Sequence, residues 1–404
     1  MKYIDGGVCS AKGFRAGGMN CGIKAGSTKK DLAMIVSDTM CSAAAVYTTN
    51  KVKGAPLAVT REHLINGTAQ AVICNSGNAN TCAPNGVEIA EKTCEITGSA
   101  LGLAAEDIIV CSTGVIGQEL SIKPFEYGVP ELAEKVSYNG GQEAAEAIMT
   151  TDTIPKSIAV EFEIDGKTCY IGGIAKGSGM IDPNMATMLS FITTDAAVSP
   201  EMLDKALKAD VKTSYNQICV DGDMSTNDTV AVLANGMAGN DEITEAGTEF
   251  DVFCEALAMV TRYLAKKLAR DGEGATKLIE CQVTGAPDRE TAARISKTVI
   301  SSNLLKAAIF GADANWGRVL CAIGYTDGEF STENIDVEMA SAKGRVLVCQ
   351  GSRHKEYSEE EASKILGEEE IQIYVDMHEG NESATAWGCD LTYDYVKING
   401  DYRS

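Results

Sequence analysis

Short apolar runs of strand length recur along the whole chain, and helical stretches separate them only irregularly. "DLAMIVSD" from Asp31, "CSAAAVYTT" from Cys41 and "AQAVICNSG" from Ala69 are bounded by Gly, Asn and Thr and predict strands. "NGVEIAEKTCEITGSALG" from Asn85 has helical spacing and leads into a further strand, "EDIIVCSTG" from Glu106. Two more helices follow, then "KSIAVEFEIDGKTCYIGGIA" from Lys156, a hairpin turning at Asp165-Gly166. Beyond it come a helix from Pro200, the strand "TVAVLANG" and a long helix from about Phe250 to Arg270. The remaining strand-like runs are "ATKLIECQVTGA", "GRVLCAIGY", "GRVLVCQG", "EIQIYVDM" and "ATAWGCDLTYDYVKI". No regular βαβ rhythm emerges, so the pattern predicts an α+β fold of layered, mostly antiparallel sheets covered by helices. There is no repeat, low-complexity tract or long linker.

At 404 residues, 45% hydrophobic and 23% charged, the chain can build two domains or one large layered one. Its opening, "MKYIDGGVCSAKGF", has no apolar core of a signal peptide, and no run approaches the roughly 18 apolar residues of a membrane span. A soluble protein is expected. The formal net charge of -22 argues against a nucleic-acid partner. Most of it, -17, falls after Ala186, scattered as on a solvated surface.

Fourteen cysteines form no CxxC pair, and most sit in apolar runs where a thiol packs as a small hydrophobe. Reduced thiols in a cytoplasm are the expectation. His63, His354 and His378 lie in polar contexts without ligand spacing, which disfavours a zinc site or a serine–histidine triad. "DGDMSTNDT" from Asp221 resembles a calcium loop but lacks the glutamate at its twelfth position and the flanking helices, so no metal is expected.

Several polar, glycine-rich stretches stand out against the strands. "GSGMIDPNMATMLSFITTDA", from Gly177 to Ala196, turns at Pro183-Asn184 and sets Thr187 directly after the small Ala186. Alone it reads as a helix start, with Asp182 as cap and Pro183 in the first position. "CSTGVIG" ends a strand in Thr113-Gly114, where a hydroxyl and a backbone N–H can point at one atom, the composition of an oxyanion hole. "NSGNANTC" from Asn75 and "GADANWGR" from Gly311 suggest loops flooring a polar pocket. "ARDGEGATK" places Glu273 between two glycines just past a helix, exposed and close to other backbone.

Taken together, "KGSGMIDPNMATMLSF", "TTNKVKGAP", "NSGNANTC", "STGVIG", "IMTTDT", "DGDMSTNDT", "GADANWGR" and the terminal "NGDYRS" resemble, in order, the blocks of the ornithine acetyltransferases, or ArgJ family. The likeness covers essentially the whole chain. It implies a self-cleaving fold shared with DmpA-type aminopeptidases, cut between Ala186 and Thr187 into chains 1–186 and 187–404. Thr187 would then be an N-terminal nucleophile whose own amine serves as base, which needs no histidine. The resemblance further implies ping-pong transfer of acetyl from N-acetylornithine to glutamate in arginine biosynthesis, through an acetyl ester on Thr187. By the same carry-over Thr113 and Gly114 stabilise the oxyanion. Thr150 (or Thr151 beside it) and Lys176 contact substrate, Glu273 meets the ornithine ammonium, and Asn399 and Ser404 close the site. Where the family often ends in threonine, Ser404 keeps the hydroxyl. No cofactor is implied, and the two chains are expected to assemble as an α2β2 heterotetramer.

Two other readings compete. A DmpA-type aminopeptidase typically uses serine and leaves the Lys176 block and the "NGDYRS" tail without a purpose. A non-catalytic amino-acid-binding relative would not need Thr187, Thr113, Gly114 and Lys176 together. Some family members also accept acetyl-CoA as donor, and the sequence leaves that choice open.

Overall fold

The computed structural model describes residues 1–24, 26–182 and 188–401, and its strands form two sheets. Nine strands make the first. The hairpin Lys156–Ile164 and Lys167–Lys176 turns through Asp165 and Gly166, both at positive φ (50° and 68°), as a tight two-residue turn requires. Strand Leu189–Thr194 pairs antiparallel with Lys167–Lys176 and parallel with Thr229–Ala234. Thr229–Ala234 in turn pairs with Leu32–Tyr47, which leads to Thr68–Asn75 and Ile108–Ser112. Residues on both sides of position 187 therefore interleave in one sheet.

Side chains alternate across this sheet. Val230 and Val232 face a core with helices Pro200–Asp210 and Thr248–Arg270, through Leu203, Leu257 and Leu264. Ala231 and Leu233 face the opposite core, with Phe14, Phe191 and Ala144 of helix Gly141–Ala147. Helices Gly86–Leu101 and Lys123–Lys135 cover the far strands through Ile89, Phe125 and Val129. Seven strands make the second sheet, whose core joins Ile279, Ile371 and Ile373 to helices Arg289–Ser301 and Glu359–Leu366. Four pairings are parallel and the others antiparallel, so the sheets are mixed but mostly antiparallel, as the α+β reading expected.

Three expectations are corrected. "DLAMIVSD" and "CSAAAVYTT" are one strand, Leu32–Tyr47; a register shift between Val36 and Cys41 absorbs the polar break at Asp38-Thr39. "GRVLCAIGY" is not a strand but part of helix Trp316–Gly324. Its buried residues Val319, Ala322 and Ile323 recur at helical spacing, and the Asn315 side chain caps it by accepting from Arg318 N. "ATAWGCDLTYDYVKI" is strand only over Glu382–Cys389; Thr392 Oγ1 accepts from Tyr395 N and starts helix Tyr393–Asp401. Among the described residues no helix is long and apolar enough to cross a membrane.

Candidate active site

One end of the first sheet collects the polar loops. The register aligns Lys176 with Leu189, Leu189 with Thr229, and Thr229 with Tyr47, so the strand that Thr187 leads into begins between Lys176 and the "STNDT" segment. Thr229 N–H donates to Met188 O at 3.0 Å, fixing the first described residue after the junction. Pro183 to Thr187 lie outside the described residues, as does Ser404.

Asparagines lock the loops. Asn75 Oδ1 accepts from Gly77 N and Asn78 N at 3.1 and 3.0 Å, and its Nδ2 donates to Ser112 Oγ at 2.8 Å. Asn227, buried, donates to Ala79 O and Ser112 O (2.5 and 3.0 Å) and accepts from the Thr81 and Thr226 hydroxyls (both 2.6 Å). It joins the loop after Asn75, the end of strand Ile108–Ser112 and the segment before Thr229. Thr113 N–H donates to Asn75 O at 2.9 Å. Gly114 holds φ 129°, and a Cβ there would stand 2.8 Å from the Gly77 carbonyl carbon, so both its conformation and its packing require glycine.

A cavity of about 500 Å³ opens beside this loop, lined by Gly114, Ser76, Asn78, Thr150, Thr151 and Lys24 among others. Thr150 and Thr151 both face it. A larger groove of about 990 Å³, between helices Ala55–His63 and Gly86–Leu101, takes Asn80 and Cys82 of "NSGNANTC" into its lining but none of the predicted catalytic or substrate-binding residues. Position relative to the chemistry, not size, marks the smaller cavity.

Behind the cavity lies a buried charge cluster. Lys156 Nζ donates to Asp152 Oδ1 at 2.7 Å and Asp271 Oδ2 at 2.6 Å, with all three side chains almost wholly enclosed. Asp152 Oδ1 also accepts from Gly177 N at 2.7 Å, and Oδ2 from Thr150 N at 3.1 Å. Burial would push the Asp152 carboxyl up, but Lys176, Lys156 and the Gly177 amide outweigh it and hold the pKa at about 2. Asp228, immediately before the strand at Thr229, is fully enclosed; burial raises its carboxyl well above the usual range, against the opposing influence of Ser225, Lys176 and Thr48. Burial likewise lifts the Cys111 thiol to about 12, which disqualifies it as a nucleophile beside Thr113.

Residues after position 187 grip the backbone before it. Asp221 accepts from Met180 N (2.6 Å) and Ile181 N (2.9 Å), and Lys297 pairs with Asp182 at 2.9 Å. The aspartate of the calcium-like sequence thus serves as a backbone clamp. Ser178 donates to Asp271 O at 2.6 Å and accepts, through its carbonyl, from Glu273 N at 2.9 Å. Glu273 is half-buried rather than exposed: Asn399 Nδ2 donates to its Oε2 at 2.8 Å, and a Cβ on Gly179 would come within 2.4 Å of its carboxylate.

Of the predicted residues, Gly114 and Thr150 share a cavity, Thr113 adjoins it, and Glu273 meets Asn399 directly. Lys176 joins the cluster through its charge on Asp152 and Asp228. "GADANWGR" departs from expectation: it turns between helices Asn303–Phe310 and Trp316–Gly324, over the core of the second sheet, and does not line this cavity. Sequence reasoning missed Lys24, Asp152, Lys156, Asp271, Asp221 and Asn227. Only the density of polar residues in "MTTDT", "RDGEG" and "DGDMSTND" marked their neighbourhoods.

A sequence profile of the ArgJ family matches residues 15–404, and the chain belongs to that family. An arginine biosynthesis bifunctional protein ArgJ of Caldanaerobacter subterraneus subsp. tengcongensis is 50% identical over the full length of both chains. The protein of the same description from Geobacillus kaustophilus is 48% identical, covering 99% of this chain and 97% of its own. Among solved structures, an arginine biosynthesis bifunctional protein argJ of Bacillus halodurans superposes with a TM-score of 0.51 at 47% identity. All of that solved chain is matched, yet it spans 54% of this one.

Proposed function

We propose that this protein is an arginine-biosynthesis acetyltransferase that moves the acetyl group of N-acetylornithine to glutamate through an ester on Thr187. The observation that carries the reading is the convergence of Gly114, Thr150 and the charge cluster of Lys176 at the sheet end where strand Leu189–Thr194 begins. Among the described residues neither the Thr113 hydroxyl nor the Gly114 N–H is bonded to another protein group, so both remain available to an oxyanion. In the intact chain the Thr187 hydroxyl attacks the Ala186 carbonyl carbon, the peptide C–N bond breaks, and water hydrolyses the ester. This leaves chains 1–186 and 187–404. Residues 187–404 are 218 of 404, or 54%, equal in size to the share that the solved Bacillus halodurans chain covers, which suits a cut at this point.

The freed Thr187 amine takes the hydroxyl proton as the oxygen attacks the acetyl carbonyl. The tetrahedral oxyanion faces Thr113 and Gly114. Its collapse expels the ornithine amine, which leaves with the proton, and the acetyl ester stays on Thr187. Glutamate's amine then attacks the ester and regenerates the hydroxyl. Glu273, oriented by Asn399, suits the ornithine side-chain ammonium. Ser404 completes the site in this reading.

The relatives are described as bifunctional, and we extend the proposal to acetyl-CoA as a second donor. Two copies of each chain form the assembly. All fourteen cysteines are unpaired thiols, which suits the reducing cytoplasm in which we place it. Ornithine and N-acetylglutamate formation, followed with and without acetyl-CoA, tests both activities. Release of free acetate instead of transfer to glutamate would favour a hydrolase of the aminopeptidase type.

A further inference from the structure

The cavity beside Gly114 has a cationic side chain with no role in the mechanism above. Lys24 stands on a turn held by the buried Asp31, whose carboxylate accepts from Cys21 N at 2.7 Å and Lys24 N at 2.9 Å. The turn presses on the loop after Asn75: a Cβ on Gly77 would meet Lys24 N at 2.8 Å, so glycine there lets Lys24 approach. Burial and the charges of Lys29 and Lys176 hold the Lys24 ammonium below its ordinary pKa, with Asp31 acting the other way. Among the described residues its ammonium forms no ion pair, and the acid lining the same cavity, Glu119, lies exposed at the rim, where it accepts from Asn85 at 3.3 Å. An ammonium that lines a confined cavity without an ion-pair partner is a receptor for an anion.

We propose that Lys24 receives the α-carboxylate of the amino-acid substrate and so selects α-amino acids over simple amines. The inference rests on the acetyl-transfer reading. In an Nα-acetyl amino acid the carboxylate is only one carbon removed from the acylated nitrogen. With the acetyl carbonyl at Gly114, the carboxylate is within reach of the same cavity, which Lys24 also lines. The side-chain tip extends further and is left to Glu273.

Nα-acetylornithine and its decarboxylated counterpart, N-acetylputrescine, separate this role from general damage. The ratio of their kcat/KM values is measured for the wild type, Lys24→Met and Lys24→Arg. Loss of a charge-assisted hydrogen bond predicts a fall in that ratio of about tenfold or more in Lys24→Met, with much of it regained in Lys24→Arg. A ratio in Lys24→Met equal to the wild type's overturns the proposal, whatever the absolute rates. Should Lys24→Met turn over neither amide, Lys24→Gln is read by the same criterion. If the wild type itself releases acetyl from neither, the acetyl-transfer reading fails. The role of Lys24 is then decided by calorimetric affinities of the two amides for wild type and Lys24→Met, with an unchanged affinity ratio overturning it.

Discussion

Replacing Asp152 by asparagine tests the buried cluster behind the cavity. Asp152 offsets the charge of Lys156, 2.7 Å away and fully enclosed, and accepts the Gly177 amide at the entrance to the junction. Breaking one arm of a buried ion pair costs on the order of 3 kcal/mol, because the remaining cation is left underpaired in a medium of low dielectric. The pKa gives a second magnitude for the same set of interactions. A carboxyl lowered from 3.8 to about 2 contributes roughly 2 kcal/mol to stability at neutral pH. Because the folded-state pKa is depressed, this contribution is present above about pH 4 and fades as pH falls through the folded value. Urea unfolding of wild type and Asp152→Asn at a series of pH values between 6 and 2.5 measures both quantities. The gap should be about 2 to 3 kcal/mol near neutrality and narrow steadily below about pH 4. A gap that stays constant across that range, or one under roughly 1 kcal/mol at neutrality, would refute the electrostatic account.

Three further outcomes follow from the site. Thr113→Ala should lower kcat about a hundredfold if its hydroxyl is an oxyanion donor, checked by steady-state kinetics with N-acetylornithine. Glu273→Gln should slow deacetylation of N-acetylornithine more than acetyl transfer to glutamate when the half-reactions are timed separately; equal losses would mean Glu273 orients the Thr187 amine instead. Gly179→Ala, whose Cβ would press within 2.4 Å of the Glu273 carboxylate, should displace that side chain and reproduce the same asymmetry.

Apolar periodicity made most strands and helices legible, because burial on alternating faces or on one helical stripe leaves its mark within a few residues. It failed where two patterns coincide locally. "GRVLCAIGY" is apolar enough for a strand, and only the cap at Asn315 and the spacing of Val319, Ala322 and Ile323 distinguish the helix. The proposed oxyanion pair stands where the sequence shows a strand ending in Thr-Gly. Lys156 was not legible: Asp152 stands only four residues before it, but Asp271, the second arm that makes it a buried cluster, meets it only through long-range folding. Asn227 and Asp221 were hidden for the same reason: their partners, Ala79, Ser112, Met180 and Ile181, are distant in sequence.

The central claim is that Thr187 begins a chain of its own and carries the acetyl group between half-reactions. Intact-mass analysis of the purified protein, before and after mixing with N-acetylornithine in the absence of glutamate, tests it directly. The account predicts two chains, 1–186 and 187–404, with the second gaining the mass of one acetyl group that maps to Thr187 and is lost on adding glutamate. A single uncut chain that transfers acetyl at full rate, with no acetyl bound to Thr187, would contradict it.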